Sequence, residues 1–158
     1  IGLGYVGLPL AIRFSEEGFS VVGFDVDEKK VEKLKAAQSY IKHIKSEKIR
    51  QMIDFGFRAT MDFGEVSSVD AILICVPTPL GVHNEPDLSY IHSTLQSIKP
   101  HLTENQLLVL ESTTYPGTTE AHCLRYCNWT MVALAPSLYD RSQLALPQPN
   151  RLAVPSCR

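Results

Sequence analysis

Ile1-Gly2-Leu3-Gly4-Tyr5-Val6-Gly7 opens the chain, and Leu8-Pro9-Leu10-Ala11-Ile12-Arg13-Phe14 continues it as the first turns of a helix. The first seven residues spell G-x-G-x-x-G behind a single apolar residue. In a turn from strand to helix each glycine has its own use. Gly2 permits the tight bend, Gly4 lets a pyrophosphate come close to the backbone, and Gly7 lets the helix pack tightly on the sheet. The helix start offers unpaired N–H groups and a positive dipole end to phosphates. Pro9 suits a first turn, where a missing N–H costs nothing.

Alone, a glycine-rich turn is a weak signal, and the next segment strengthens it. Ser20-Val21-Val22-Gly23-Phe24-Asp25 is a short β-branched run that ends in an acid 18 residues beyond Gly7. A carboxylate about 20 residues on, at the end of the second strand, is placed to accept hydrogen bonds from both ribose hydroxyls of NAD. It would repel the 2′-phosphate of NADP, and the adjacent Val26 supplies no arginine to compensate. The other reading, an acid that merely ends a strand with Asp27 capping the next helix, is the weaker one after a full G-x-G-x-x-G. The expected cofactor is NAD rather than NADP.

The 158 residues suffice for one domain with a real core, and 44% hydrophobic and 20% charged residues are ordinary for a globular protein. A net charge of −2 without a basic stripe argues against a nucleic-acid footprint. No run of 18 apolar residues exists, so no membrane span is expected, and no signal peptide is visible. The glycine turn normally follows a complete strand, and Ile1 is not methionine, so the sequence is expected to begin inside the domain. Of four cysteines, Cys75 lies in an apolar run and reads as a small buried hydrophobe. Cys123 and Cys127 form C-x-x-x-C with His122 beside them but without a second pair at ligand spacing. Neither a metal site nor a disulfide framework is indicated, and a reduced, cytoplasmic protein is expected.

Strand-like and helix-like segments alternate, which predicts an α/β, Rossmann-type doubly wound parallel sheet, truncated at its first strand and trailed by an irregular C-terminal tail. Helices are expected over 8–17, stopped by Gly18, over 27–35 with acids first and lysines later, over 46–54 capped by Ser46, and over 88–97 capped by Asp87. Strands are expected over 20–25, 58–60, 70–76 and 106–111. The charges of 27–35 read chiefly as a solvated face, although Lys30 is placed to reach the adenosine end of a cofactor. Ligands of open parallel sheets bind outside the carboxyl ends of the strands. The glycine turn, Asp25, Val76-Pro77-Thr78-Pro79 and Glu111-Ser112-Thr113 would all converge on that one edge.

These stretches, with Glu85-Pro86-Asp87-Leu88-Ser89-Tyr90-Ile91 and Glu111-Ser112-Thr113-Thr114-Tyr115-Pro116-Gly117-Thr118-Thr119-Glu120, resemble the UDP-glucose/GDP-mannose dehydrogenase family. The last two look most like the UDP-N-acetylglucosamine 6-dehydrogenase branch. The resemblance runs from residue 1 to about 120 and implies an NAD-binding Rossmann domain over 1–120. It implies oxidation of a UDP-sugar C6 alcohol to the carboxylate with two NAD reduced, by a full-length enzyme that is a homo-oligomer. It further implies that Asp25 holds the adenosine ribose, Thr78 lines the cofactor cleft and Glu111 borders the nicotinamide ribose. Thr113 then positions a water near the reacting carbon. Without the family, Thr113 reads better as an ST-turn or helix cap. The cofactor-binding set is Gly2, Gly4, Tyr5, Val6, Gly7, Asp25, Lys30, Val76, Pro77, Thr78, Glu111 and Ser112.

The departures are as informative. The family continues past this point with a helix, a strand and a Ser-Pro-Glu-Arg stretch, and none of the 38 residues from 121 to 158 spells it. Here stand three of the four cysteines, the only tryptophan, four prolines, one acid (Asp140) and no lysine. Residues 121–158 are therefore expected to be a poorly folded tail, from translation in a shifted frame or from divergence. No cysteine sits in the Gly-x-Cys context of the family nucleophile, so this chain alone is expected to be inactive. Two rivals stay open: another β-hydroxyacid-type dehydrogenase, and a non-catalytic nucleotide-binding module or truncated, non-functional product.

Overall fold

A computed structural model describes residues 1–81, 85–112 and the backbone of 131–134. Its elements run α1 (Gly7–Glu16), β1 (Val22–Phe24), α2 (Glu28–Lys35), α3 (Ser46–Asp54), β2 (Arg58–Thr60), a 3₁₀ helix (Phe63–Ser68), β3 (Ala71–Ile74), α4 (Ser89–Ile98), a second 3₁₀ turn (Lys99–His101), β4 (Leu107–Leu110) and β5 (Met131–Leu134). β1 and β2 pair in parallel, as do β3, β4 and β5 in that order.

Ile1 and Gly2 join the two sheets. The Ile1 nitrogen donates to the Leu73 carbonyl at 2.7 Å, and the Cys75 N–H returns to the Ile1 carbonyl at 2.8 Å. Bonds from one residue to two partners spaced by two are the pattern of a parallel ladder. On the other side the Gly2 N–H donates to the Phe24 carbonyl at 2.8 Å. The spatial order is thus β2, β1, Ile1–Gly2, β3, β4, β5. The chain leaves Ile1–Gly2 first towards β1 and later towards β3, so the glycine turn sits where the strand order reverses.

Two hydrophobic clusters cover this framework. Ile72, Ile74, Leu108 and Leu110 alternate along β3 and β4 and meet Ile91, Leu95 and Ile98 of α4. Leu3, Leu8, Val31, Leu34, Ile49 and Met52 join α1, α2 and α3 to Phe57 and Ala59 around β2. Period-2 alternation in the strands and i, i+4, i+7 spacing in α4 are what put these residues inside.

Local signals behave largely as the sequence predicts. Gly18 stands at φ +85°, with Phe19 N–H bonded to the Phe14 carbonyl and Gly18 N–H to that of Ser15. Their rings meet edge to face at 5.7 Å, the hydrophobic contact that accompanies this helix stop. The Asp27 carboxylate caps α2 by accepting from Lys29 N–H at 3.0 Å.

Two caps differ from expectation. Ser46 is the first helical residue rather than the cap of α3, and its hydroxyl accepts from Ser39 N–H at 3.0 Å instead. Asp87 accepts from Ser89 N–H at 2.9 Å, but the cap position of α4 is taken by Leu88. β1, β3 and β4 are each shorter than the strand expected there, whereas β2 has the expected bounds. Within the stretch expected to be an irregular tail, Met131–Leu134 pairs in parallel with β4, Leu107 opposite Met131. The sheet therefore extends past residue 120.

Candidate functional site

The carboxyl ends of Ile1–Gly2, β1, β3 and β4 open into one cleft of about 650 Å³. Gly2, Gly4, Tyr5 and Val6 line it from the glycine turn, Asp25 and Lys30 from the end of β1 and the start of α2. Val76, Pro77 and Thr78 line it from beyond β3, and Glu111 and Ser112 from beyond β4. Of the residues proposed from sequence, Gly7 alone among the described ones stays out of the lining. Thr113 lies outside the described residues, as do His122, Cys123 and Cys127.

The three glycines of the turn occupy different environments. A Cβ on Gly2, at φ +88°, would stand 2.9 Å from the Cys75 carbonyl oxygen. One on Gly7 would stand 1.9 Å from the Gly2 carbonyl oxygen, which the start of α1 crosses. One on Gly4 would meet nothing within 4 Å. Gly2 and Gly7 thus answer to the fold, whereas Gly4 keeps open the mouth of the cleft.

Asp25 is 6% exposed and holds the turn in place. One carboxylate oxygen accepts from Leu3 N–H at 2.8 Å and from the Lys30 ammonium at 3.2 Å. The other accepts from Asp27 N–H at 3.0 Å. Across the cleft, the Ser112 hydroxyl donates to the Val76 carbonyl at 2.7 Å, tying the loops beyond β3 and β4 together. Burial pushes the Glu111 carboxyl above its ordinary value. Burial likewise raises the Cys75 thiol, against the Ile1 ammonium that lowers it, and the Glu111 carboxylate adds to the rise. Cys75 is half-buried and lines the cleft, a position between the core residue expected and an accessible thiol.

A fourth wall lies outside the expected set. Tyr90, Ser93, Thr94 and Ser97 of α4 line the cleft, and Phe63 lies beside them, stacked on Phe24 at 5.7 Å. Their i, i+3, i+4, i+7 spacing is a hydroxyl-bearing stripe beside the apolar stripe Ile91, Leu95, Ile98 of the same helix. That second stripe is a signal in the sequence, although only the packing of α4 on the sheet turns it towards the cleft.

A mostly apolar cleft at a topological switch point, with a glycine turn leading into a helix and a buried acid at the second strand end, defines a dinucleotide-binding Rossmann domain. Its residues fit the group: Gly4 leaves room at the turn, and Asp25 presents a fixed carboxylate. Residues 1–131 match the UDP-glucose/GDP-mannose dehydrogenase family, NAD binding domain. The chain belongs to that family, its cofactor is NAD, and the family model reaches into the segment beyond residue 120.

Among similar proteins, the UDP-N-acetyl-D-glucosamine 6-dehydrogenase of Salmonella typhi is 36% identical over 124 residues, covering 78% of this chain and 28% of its own. The UDP-N-acetyl-D-mannosamine dehydrogenase of Escherichia coli is 37% identical over 122 residues, covering 76% and 28%. The solved UDP-D-ManNAc dehydrogenase of Pyrococcus horikoshii superposes with a TM-score of 0.78 at 30% identity, over 85% of this chain and 34% of that one. The matched part of the chain spans less than a third of the length of the two curated relatives. No helix among the described residues is long and apolar enough to cross a membrane.

Proposed function

We propose that this chain supplies the NAD-binding part of a cytoplasmic nucleotide-sugar 6-dehydrogenase. The enzyme oxidises the C6 alcohol of a UDP-N-acetylhexosamine, or of UDP-glucose, to the uronate, with two NAD reduced. The observation that carries this reading is the cleft, in which eleven residues proposed from sequence line one sheet edge. Bound there, NAD supplies a hydride acceptor. Asp25 receives the adenosine ribose hydroxyls, with Lys30 beside it. The backbone at Gly4, Tyr5 and Val6 receives the pyrophosphate, with the positive end of α1 behind it. Val76, Pro77, Thr78, Glu111 and Ser112 flank the nicotinamide end, and Thr113 helps to position a water near the reacting C6. The names of the relatives support the UDP-N-acetylhexosamine class, and the full-length enzyme is a homo-oligomer.

The 158 residues contain no Gly-x-Cys, which favours a second reading for the chain as it stands: a nucleotide-binding module without turnover. Calorimetric titration with NAD and NADP, followed by NADH absorbance on adding UDP-sugars, tests both. Heat with NAD, at least tenfold weaker binding of NADP and no NADH are expected. Equal binding of NADP would overturn the role of Asp25, and NADH formation would overturn the second reading. Absence of heat with either nucleotide would leave a non-functional product.

A further inference from the structure

Tyr40 lies in the connection between α2 and α3, far in sequence from the glycine turn, yet its hydroxyl donates to the Leu3 carbonyl. The connection is closed on itself. Ser39 N–H donates to the Ser46 hydroxyl at 3.0 Å, Ile41 N–H to the Ser39 hydroxyl at 3.2 Å, and Ile44 N–H to the Ile41 carbonyl at 3.0 Å. Ile41 is buried in the core at 3% exposure, which anchors the loop. A second contact comes from the same loop, where the His43 ring lies 6.2 Å from that of Tyr5.

The hydrogen bond acts on a particular peptide. The Leu3 carbonyl and the Gly4 N–H belong to one planar unit, and the peptide is trans, so fixing the carbonyl direction fixes the N–H on the opposite side. Neighbouring units are already held: Leu3 N–H by Asp25, and the Gly4 carbonyl by Leu8 N–H at 3.1 Å. Gly4 has no Cβ to restrict its own rotation. The Leu3–Gly4 unit is therefore held from outside, by Tyr40.

We propose that Tyr40 is a positioning residue for the cofactor, setting the orientation of the Leu3–Gly4 peptide at the point where the pyrophosphate meets the turn. This rests on the reading of that turn as the pyrophosphate site. Burial, then the Asp25 and Asp27 carboxylates, push the Tyr40 phenol above the ordinary tyrosine range, so the hydroxyl stays a donor through moderately alkaline pH.

Tyr40→Phe removes the hydroxyl and keeps the ring. Calorimetric titration with NAD, the amide ¹⁵N–¹H signal of Gly4 and the melting temperature are measured on this variant and on the parent. Expected are about five- to tenfold weaker NAD binding, the worth of one net hydrogen bond, a displaced Gly4 signal and a melting temperature within a few degrees. NAD affinity within twofold of the parent overturns the proposal, as does an unmoved Gly4 signal. If the parent itself binds no NAD, the reading of the turn fails and this proposal with it. Should Tyr40→Phe unfold, 3-fluorotyrosine incorporated at position 40, which keeps the ring and makes the hydroxyl a stronger donor, replaces it, and an unmoved Gly4 signal with unchanged NAD affinity overturns the role.

Discussion

Alanine at Gly7 and alanine at Gly4 make the same chemical change three residues apart and have opposite expected consequences. A Cβ on Gly7 would stand 1.9 Å from the Gly2 carbonyl oxygen, 3.0 Å from its carbon and 3.2 Å from the Cys75 Cβ. Non-bonded heavy atoms rest roughly 3.5 Å apart, so α1 and the turn must separate by about 1.5 Å. Neither neighbour can yield by swinging a long side chain, and Gly2 is pinned by its bond to the Phe24 carbonyl at 2.8 Å. Overpacking costs about 1–3 kcal/mol or more, and a backbone obstacle belongs at the upper end. Alanine's better helix propensity returns at most about 1 kcal/mol. Gly7→Ala should therefore lose about 2 kcal/mol. Gly4→Ala meets nothing within 4 Å and should keep its stability within about 0.5 kcal/mol. Its methyl group projects where the pyrophosphate approaches, so NAD binding should fall at least tenfold. Urea unfolding followed by circular dichroism reads the first quantity, and calorimetric titration the second. Gly7→Ala unfolding at the parent's midpoint would refute the packing argument, and Gly4→Ala binding NAD like the parent would refute close approach.

Asp25→Asn leaves one oxygen where the carboxylate uses two, so stability should drop by about 2 kcal/mol, as for a hydrogen bond to a charged group. NAD binding should weaken and its margin over NADP shrink, measured by titration with both. Lys30→Met removes the ammonium that sits 3.2 Å from Asp25 and partly neutralises it. Discrimination against NADP should then increase, and an unchanged ratio would count against any charge effect of Lys30. The raised thiol of Cys75 stays protonated at neutral pH. Its alkylation, followed by peptide mapping, should reach half-maximal rate above the ordinary thiol value of about 8.5 and slow when NAD is added. A midpoint at or below that value would contradict the burial argument.

The parts of the fold that are legible in the sequence are those set by a few neighbouring residues. Gly18 can be placed because a left-handed residue at a helix end favours glycine, and β3 because an unbroken apolar run suits a strand inside a parallel sheet. Asp27 caps α2 as its type and position suggest. Ser46 misleads because a serine before an apolar-periodic stretch looks like a cap, while its hydroxyl is taken by Ser39, a partner seven residues away. β5 escapes for a related reason. Met131–Leu134 is too short to announce itself among prolines and cysteines, and only the ladder with β4 makes it a strand. The cleft edge can be foreseen because strand ends share one side of a parallel sheet. The α4 wall and Tyr40 cannot be read that way, since the approach of α4 and of the 39–46 loop to the turn depends on tertiary packing.

Asp25 illustrates why fold and cofactor recognition are hard to separate here. A carboxylate offers about four acceptor positions. Three are already engaged by donors of the chain: Leu3 N–H, Asp27 N–H and the Lys30 ammonium. The first of these sets the glycine turn, the second sets the exit from β1, and the third, from a partly exposed lysine, must yield for the carboxylate to receive both ribose hydroxyls. A substitution at Asp25 therefore moves the turn, the strand end and the ribose site together, and a loss of NAD binding in such a variant says little about which of them failed. Gly4 and Tyr40 divide the problem. Gly4 lines the cleft with nothing near its missing Cβ, and the Tyr40 hydroxyl bonds one peptide of the turn while its ring packs on the core. Neither group is a partner in the Gly2–Phe24 or Leu3–Asp25 bonds. Binding lost at those two positions with stability retained isolates the shape of the turn from its anchorage to the sheet.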